Sequence, residues 1–134
     1  MDNELFDLCK QVYEKTGWRD TLDYQWMKED LTIDNQRGTD TGVKGGWWYY
    51  EYIEGQVPLY DSDYLLEKLP SVVQDTDDKI FRVITMWING DGSTHAGYAE
   101  PYAHDDKYAH SQTSDRMVNT LLKLTLALSE AGEL

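Results

Sequence analysis

The sequence predicts an α+β fold, a small antiparallel sheet of about three strands packed with helices. Three observations favour this prediction. Apolar residues recur at helical spacing near both ends of the chain, aromatic and apolar runs typical of strands lie between them, and an Asn-Gly-Asp-Gly turn connects two strand-like segments. The predicted order of elements is helix, loop, strand, helix, strand, strand, helix, which is typical of a sheet with helices on one face.

The first predicted element is a helix over Asp2–Thr16, with Gly17 in the place of a C-cap. Apolar residues three or four positions apart form one stripe on this helix: Leu5, Leu8, Cys9, Val12 and Tyr13. The lone cysteine belongs to the stripe, so we expect it to be buried. We interpret residues 18–46 as a long loop or arm, with Leu22–Lys28 as a candidate short helix.

Aromatic and apolar runs mark the predicted strands. Trp47–Ile53 is bounded by glycines and is rich in Trp and Tyr, which fit a pleated surface better than a helix. The run Ile80–Ile88 is apolar on both faces, which is typical of a strand inside a sheet. Since Asn89–Gly92 is a strong hairpin turn, we expect a return strand over Ser93–Tyr102.

Two further helices are predicted in the second half of the chain. The first is short, begins at a cap on Asp61 or Ser62, and ends at Pro70. The second is capped by Ser114-Asp115 and ends near Gly132. One face of this last helix is apolar: Val118, Leu121, Leu122, Thr125 and Leu128.

The length of 134 residues is typical of one domain. We predict a single domain over residues 1–134, in which residues 1–45 form the first helix and its arm and residues 46–134 form the core. The sequence opens without a basic leader, and nowhere do eighteen apolar residues follow one another. We therefore expect a cytoplasmic protein with no membrane contact.

The charge of the chain is its most informative property. There are 25 Asp and Glu residues against 12 Lys and Arg, a formal net charge of -13. An acidic surface repels phosphate backbones, which disfavours direct binding of nucleic acid and favours a partner with a basic surface. Broad acidity also promotes solubility, so the sequence alone leaves both interpretations open.

Three histidines, His95, His104 and His110, lie close together in the sequence with carboxylates between them. Imidazole and carboxylate groups bind zinc and other transition metals, and a histidine beside Asp105 or Asp106 could serve acid/base catalysis. The spacing matches no metal-binding motif, so we expect a solvated loop with neither a metal nor a cofactor. The acidic clusters lack the EF-hand pattern, and the sequence has neither a phosphate-binding loop nor a nucleophile elbow.

Two segments carry a resemblance to a known family. The stretch Pro58–Pro70, PLYDSDYLLEKLP, and the ending Leu121–Leu128, LLKLTLAL, resemble small phage and prophage proteins, including the phage ABA sandwich domain. The resemblance covers about the C-terminal three quarters of the chain and consists mostly of core positions. It implies an α+β sandwich and an origin in a phage or mobile element, and it supplies no catalytic residues.

The aromatic strand is the candidate binding surface, because Tyr and Trp offer large, rigid contact areas and dominate binding hot spots. Core packing is the commoner role of such an aromatic run, and both interpretations stay open. Acidic residues in and after the strand would suit a basic partner. The candidate binding residues are Trp47, Trp48, Tyr49, Tyr50, Glu51, Tyr52, Glu54, Asp61 and Asp63.

We therefore predict a non-enzymatic phage accessory protein that acts in the cytoplasm of the host cell by binding another protein. One form of this function is inhibition of a host defence nuclease, as anti-CRISPR proteins do, through a surface that mimics nucleic acid. Two alternatives stay open. The chain could be a virion assembly or structural protein that forms homo-oligomers through Ile80–Ile88, or a small metal-dependent enzyme that uses His95, His104 and His110.

Overall fold

The computed structural model describes residues 2–20, 24–28, 47–51, 57–74, 81–100 and 108–134. Within these residues the chain has an α+β fold of three helices and six strands, so the predicted fold class is confirmed. In chain order the elements are α1 (Asp2–Thr16), β1 (Tyr24–Lys28), β2 (Trp47–Glu51), α2 (Ser62–Lys68), β3 (Val72–Gln74), β4 (Phe81–Ile88), β5 (Thr94–Ala99), β6 (Tyr108–Ser114) and α3 (Met117–Glu130).

The chain divides into two compact units, Met1–Tyr60 and Asp61–Leu134. The first unit contains α1 and a two-stranded sheet of β1 and β2, and the second contains α2, α3 and a four-stranded sheet. The proposal of one domain with a division after residue 45 stays a prediction.

Helix α1 confirms the predicted first element. Its stripe of Leu5, Leu8, Cys9 and Val12 is buried, including the lone cysteine. Gly17 ends the helix in the left-handed region, with a φ of 68°, and its N–H donates to the Tyr13 carbonyl at 2.8 Å. Because glycine has no Cβ, it adopts this conformation without strain.

Strand β1 corrects the interpretation of residues 18–46. The candidate helix over Leu22–Lys28 is wrong, because Tyr24–Lys28 pairs antiparallel with Trp47–Glu51, with Trp26 opposite Tyr49. Aromatic residues favour strands, and a partner strand supplies the hydrogen bonds that a lone five-residue segment lacks. The aromatic strand itself is confirmed over Trp47–Glu51, and residues 52 and 53 lie outside the described residues.

The second unit is built on an antiparallel sheet with the strand order β3-β4-β5-β6. Strand β4 confirms the predicted apolar strand and lies inside the sheet between β3 and β5, as its pattern indicates. The turn after it is also confirmed, since Gly92 has a φ of 89° and donates its N–H to the Asn89 carbonyl at 2.9 Å. Within the predicted return strand, β5 covers Thr94–Ala99.

The sheet has more strands than the predicted three. Strand β3 has only three residues, too few to show alternation, and β6 has the polar sequence YAHSQTS. Neither strand has an apolar pattern of its own. Each is held by pairing with a neighbour that was predicted, β3 with β4 and β6 with β5.

The two helices of the second unit begin differently. Asp61 caps α2 as predicted, because its Oδ1 accepts a hydrogen bond from the Tyr64 N–H at 2.8 Å. The predicted cap of α3 is wrong, since the N-cap is Arg116 and makes no side-chain cap hydrogen bond. Ser114 instead ends β6, and its carbonyl accepts a hydrogen bond from the Thr94 hydroxyl at 3.0 Å.

Helix α3 packs mainly against β5 and β6 and against α2. Four of its leucines are fully buried together with two residues of β5: Leu121, Leu122, Leu124, Leu128, Ala96 and Tyr98. A buried hydrogen bond between the hydroxyls of Thr94 and Thr120, at 2.7 Å, joins the helix to the sheet. None of the helices in the described part of the chain is long and apolar enough to cross a membrane.

Candidate interaction site on the four-stranded sheet

The strand register assigns each residue of β4 and β5 to a face of the sheet. Ile84, Met86 and Ile88 pair with Tyr98, Ala96 and Thr94, so all six side chains lie on the face that carries α3. We call this the helix face. Trp87 and His95 form the next pair and lie on the opposite face.

On the helix face, β4 and β5 differ in burial. Thr94, Ala96 and Tyr98 of β5 are buried, whereas Met86 and Ile88 of β4 are 39% and 71% exposed. The difference follows from the position of α3, which packs mainly against β5 and β6. Large apolar side chains therefore reach solvent beside the helix.

Strands β3 and β4 also expose apolar residues on the opposite face. Val72 pairs with Val83, which places it on that face together with Phe81, two positions before Val83. Their side chains are 44% and 58% exposed. Val72, Phe81, Met86 and Ile88 are here called the exposed β3–β4 residues. They form two pairs, Val72 and Phe81 on the opposite face and Met86 and Ile88 on the helix face, and exposed apolar side chains of this kind are typical of contact surfaces.

The turn between β4 and β5 holds a carboxylate in a fixed position. The Ser93 N–H and hydroxyl both donate to Oδ1 of Asp91, at 2.9 and 2.6 Å. These hydrogen bonds lower the pKa of Asp91, whose side chain is exposed. Since Asp91 lies three residues after Ile88, a fixed negative charge follows the most exposed apolar side chain of β4.

The same turn is tied to the opposite face of the sheet. The Trp87 indole Nε1 donates to Asn89 Oδ1 at 2.9 Å, and Asn89 Nδ2 donates to the Ser93 hydroxyl at 2.9 Å. Side-chain hydrogen bonds thus run from Trp87 through Asn89 and Ser93 to Asp91. Such a network limits the motion of the turn.

A cluster of polar and aromatic side chains lies on the opposite face, formed by Trp87, His95, Ser111 and Thr113. The rings of Trp87 and His95 stack with centroids 3.9 Å apart and planes at 14°. The Ser111 hydroxyl hydrogen bonds with Nε2 of His95, and the Thr113 hydroxyl lies 3.1 Å from Nδ1. We call these four residues the His95 cluster. Burial lowers the pKa of His95 and so favours the neutral ring.

The acidic side chains of the second unit are more exposed than its basic side chains. Within its described residues every acidic side chain except Glu100 is exposed: Asp61, Asp63, Glu67, Asp91, Asp115, Glu130 and Glu133. The basic side chains of the same residues, Lys68, Arg82, Arg116 and Lys123, are all half-buried. The solvent-facing surface there is therefore more acidic than the composition indicates.

The predicted binding residues belong to different parts of the chain. Trp47, Trp48, Tyr49, Tyr50 and Glu51 form β2 in the first unit, and the structure does not describe their side chains. Tyr52 and Glu54 lie outside the described residues. Asp61 and Asp63 belong to the second unit, where Asp61 has a structural role as the cap of α2 and Asp63 lies exposed in the first turn.

The structure describes two of the three histidines. His95 lies in β5, His110 lies in β6 with a positive φ of 58°, and His104 is outside the described residues. In the described ranges no three His, Cys, Asp or Glu side chains come close enough to hold a metal ion. Sequence reasoning missed Ser111 and Thr113 as partners of His95, because their approach depends on the pairing of β6, a strand without an apolar signal.

A comparison of the chain with protein-family models, curated proteins and solved structures finds no match in any of the three. The resemblance to phage proteins therefore stays a prediction.

Proposed function

We propose that this protein acts by binding another protein that presents a basic surface, and that it catalyses no reaction in doing so. The observation that carries the proposal is the uneven burial of charge in the second unit, where acids are exposed and bases half-buried. With a net charge of -13, the chain attracts basic partners over long range and repels nucleic acid.

Met86 and Ile88, the exposed β3–β4 residues of the helix face, supply the short-range part of such an interaction. Charges raise the association rate and select the partner, whereas apolar side chains that become buried contribute most of the affinity. The end of β4 offers both an apolar contact and a charge, because the exposed side chain of Ile88 is followed by the fixed carboxylate of Asp91. We propose this end of β4 as one contact with the partner.

The finer form of the proposal is a phage accessory protein that inhibits a host defence nuclease in the cytoplasm. Its support is the resemblance of Pro58–Pro70 and Leu121–Leu128 to phage proteins, together with the acidic charge. A nuclease binds nucleic acid in a basic channel, and an acidic protein can occupy that channel by mimicry. The aromatic strand Trp47–Glu51 is a second proposed contact.

One observation favours assembly as a second candidate function. Exposed apolar residues occur on both faces of β4, with Phe81 on one face and Ile88 on the other. Copies of the chain could associate through them, although like charges on every copy oppose such contacts at low salt. Sedimentation at high protein concentration tests this candidate, since a monomer there contradicts it.

The binding proposal is tested in two steps. Affinity capture from a host lysate at low and high salt, with identification by mass spectrometry, first supplies a partner. Affinities of the purified partner are then measured over the same salt range. We expect the affinity to fall about tenfold or more between low and high salt, because salt screens charge pairs at the interface. An affinity that does not change with salt contradicts the proposal.

A matched pair of variants locates the charge that matters. The test variant neutralises three exposed acids of the second unit: Asp63→Asn, Glu67→Gln and Glu130→Gln. The control neutralises three exposed acids of α1: Glu4→Gln, Asp7→Asn and Glu14→Gln. Both change the net charge equally. We expect the test variant to lose affinity by about tenfold and the control by much less, and equal losses would show that only the overall charge acts.

A further inference from the structure

The His95 cluster has a chemical property that protein binding does not use. A serine hydroxyl hydrogen bonds to one ring nitrogen of a histidine, and a second hydroxyl orients the other. A nucleophile beside a base that is itself oriented by a third group is the arrangement that activates serine. We infer that Ser111 is an activated nucleophile, with His95 as its general base, and that it accepts the acyl group of activated carboxylic esters.

The hydrogen bonds of His95 are consistent with this role. With the proton on Nδ1, the ring donates to the Thr113 hydroxyl and leaves the lone pair of Nε2 to accept the proton of Ser111. The stacked indole of Trp87 limits rotation of the ring. In this tautomer the ring nitrogen that faces Ser111 is the one that can take a proton.

The backbone before Ser111 is the second observation. His110 has a φ of 58°, the one positive φ of a residue other than glycine in the described chain. It lies where the pairing of β5 with β6 changes register, between Ala96 and Tyr98. Bulges re-aim the side chains that follow them, and strained backbone gathers at functional sites. Here the irregularity directly precedes the serine that contacts His95.

Protonation state and access agree with this geometry. Burial lowers the pKa of His95, so the neutral ring is the main form at pH 7 and can act as a base. Ser111 is exposed, which lets an ester in solution reach its hydroxyl. Both conditions are necessary for attack on a substrate that arrives from solvent.

The reaction step balances without any further reagent. The Ser111 Oγ attacks the ester carbonyl carbon while its proton passes to Nε2 of His95. The bond from that carbon to the leaving oxygen then breaks, and the departing alcohol or phenol takes the proton from His95. The products are an acyl-serine ester and the free alcohol, with His95 neutral again.

The inference is independent of the proposed binding function. It concerns the acylation step alone, so one covalent acyl group on Ser111 is sufficient and turnover is not required. A protein that acts by binding can carry such a modification, and failure of either proposal leaves the other in place.

The test uses the full chain and p-nitrophenyl acetate as the probe. We expect a rapid release of p-nitrophenol equivalent to one acetyl group per chain, with the acetyl ester found on Ser111 by peptide mass spectrometry after acid quench. Ser71 is an internal reference, because it is also exposed but no histidine of the described residues hydrogen bonds to it. Equal acetylation of Ser71 and Ser111 would overturn the inference.

Three variants separate chemistry from structure. Ser111→Ala should abolish the rapid release, and His95→Gln should slow acetylation of Ser111 by about a hundredfold, the usual contribution of a general base. Thr113→Val should slow it less, since it removes only the orienting hydroxyl. Circular dichroism and urea unfolding of each variant check that the fold is kept. Rapid release from folded Ser111→Ala, or unchanged Ser111 acetylation in folded His95→Gln, would overturn the inference.

Discussion

Strands β4 and β5 are neighbours in one sheet, yet the strand with the more apolar sequence, β4, is the less buried of the two. The sequence of β4, FRVITMWI, is rich in large apolar residues, whereas β5, THAGYA, is mostly small or polar. Nevertheless Ala96 and Tyr98 of β5 are fully buried, while Met86 and Ile88 of β4 are exposed. Burial here is set by where α3 lies and not by the hydrophobicity of the strand.

Small residues explain why the helix packs over β5. Ala96 occupies little space, so the leucines of α3 can approach the sheet closely there, and dense packing maximises the apolar area removed from water. The larger side chains of β4 then lie at the border of this core. Apolar residues left at such a border are the ones available to a partner.

The largest effect should come from the core under α3. We expect Leu122→Ala to lower the free energy of unfolding by about 2–5 kcal/mol, because a fully buried leucine is replaced by a cavity. Ile88→Ala on β4 should change it by less than about 0.5 kcal/mol. Urea unfolding of both variants measures the contrast, and similar losses would contradict the assignment of β4 to the border.

Tyr98 sharpens the comparison through its hydroxyl, which donates to the Pro70 carbonyl at 2.6 Å from a buried position on β5. Tyr98→Phe should cost about 1–2 kcal/mol, since it removes the bond and leaves a carbonyl without that donor. Burial raises the pKa of Tyr98 to about 12. The ordinary pKa of tyrosine is about 10, so above this pH the unfolded chain loses the Tyr98 proton more readily than the folded chain. The wild-type chain should therefore lose stability as the pH rises above about 10. Tyr98→Phe should lose less stability over the same pH range.

The cap of α2 gives an effect of intermediate size outside both strands. Asp61→Ala should lower the free energy of unfolding by about 1 kcal/mol, because the Tyr64 N–H loses its acceptor. Asp63→Ala is the matched control, since Asp63 lies exposed in the same helix and is not the cap. Equal effects of the two substitutions on urea unfolding would contradict the capping role.

The smallest effect is a pH dependence at the face opposite α3. Because burial lowers the pKa of His95, protons bind the unfolded chain more readily than the folded one. Stability should thus be unaffected by His95 at neutral pH and should decrease as the pH falls below the ordinary histidine value of about 6.5. Urea unfolding between neutral and mildly acidic pH should show this decrease in the wild type and a weaker one in His95→Gln.

Sequence reasoning succeeded where a pattern is carried by one segment. The stripe of α1, the apolar run of β4, the glycine turn and the cap at Asp61 all have local causes, and the structure confirms each of them. Strands β3 and β6 are held by their neighbours, so their own residues give little signal. The contact of Ser111 with His95 depends on the pairing of β6 with β5. It could not be predicted from the sequence, because β6 has no apolar pattern of its own.

Cys9 provides a way to follow the first unit on its own. It is the only cysteine of the chain and is fully buried in α1, so a thiol reagent can reach it only when that helix opens. The rate of its labelling in native buffer therefore reports local opening in Met1–Tyr60. One unmodified molecule thus carries a chemical reporter that is confined to its first compact part.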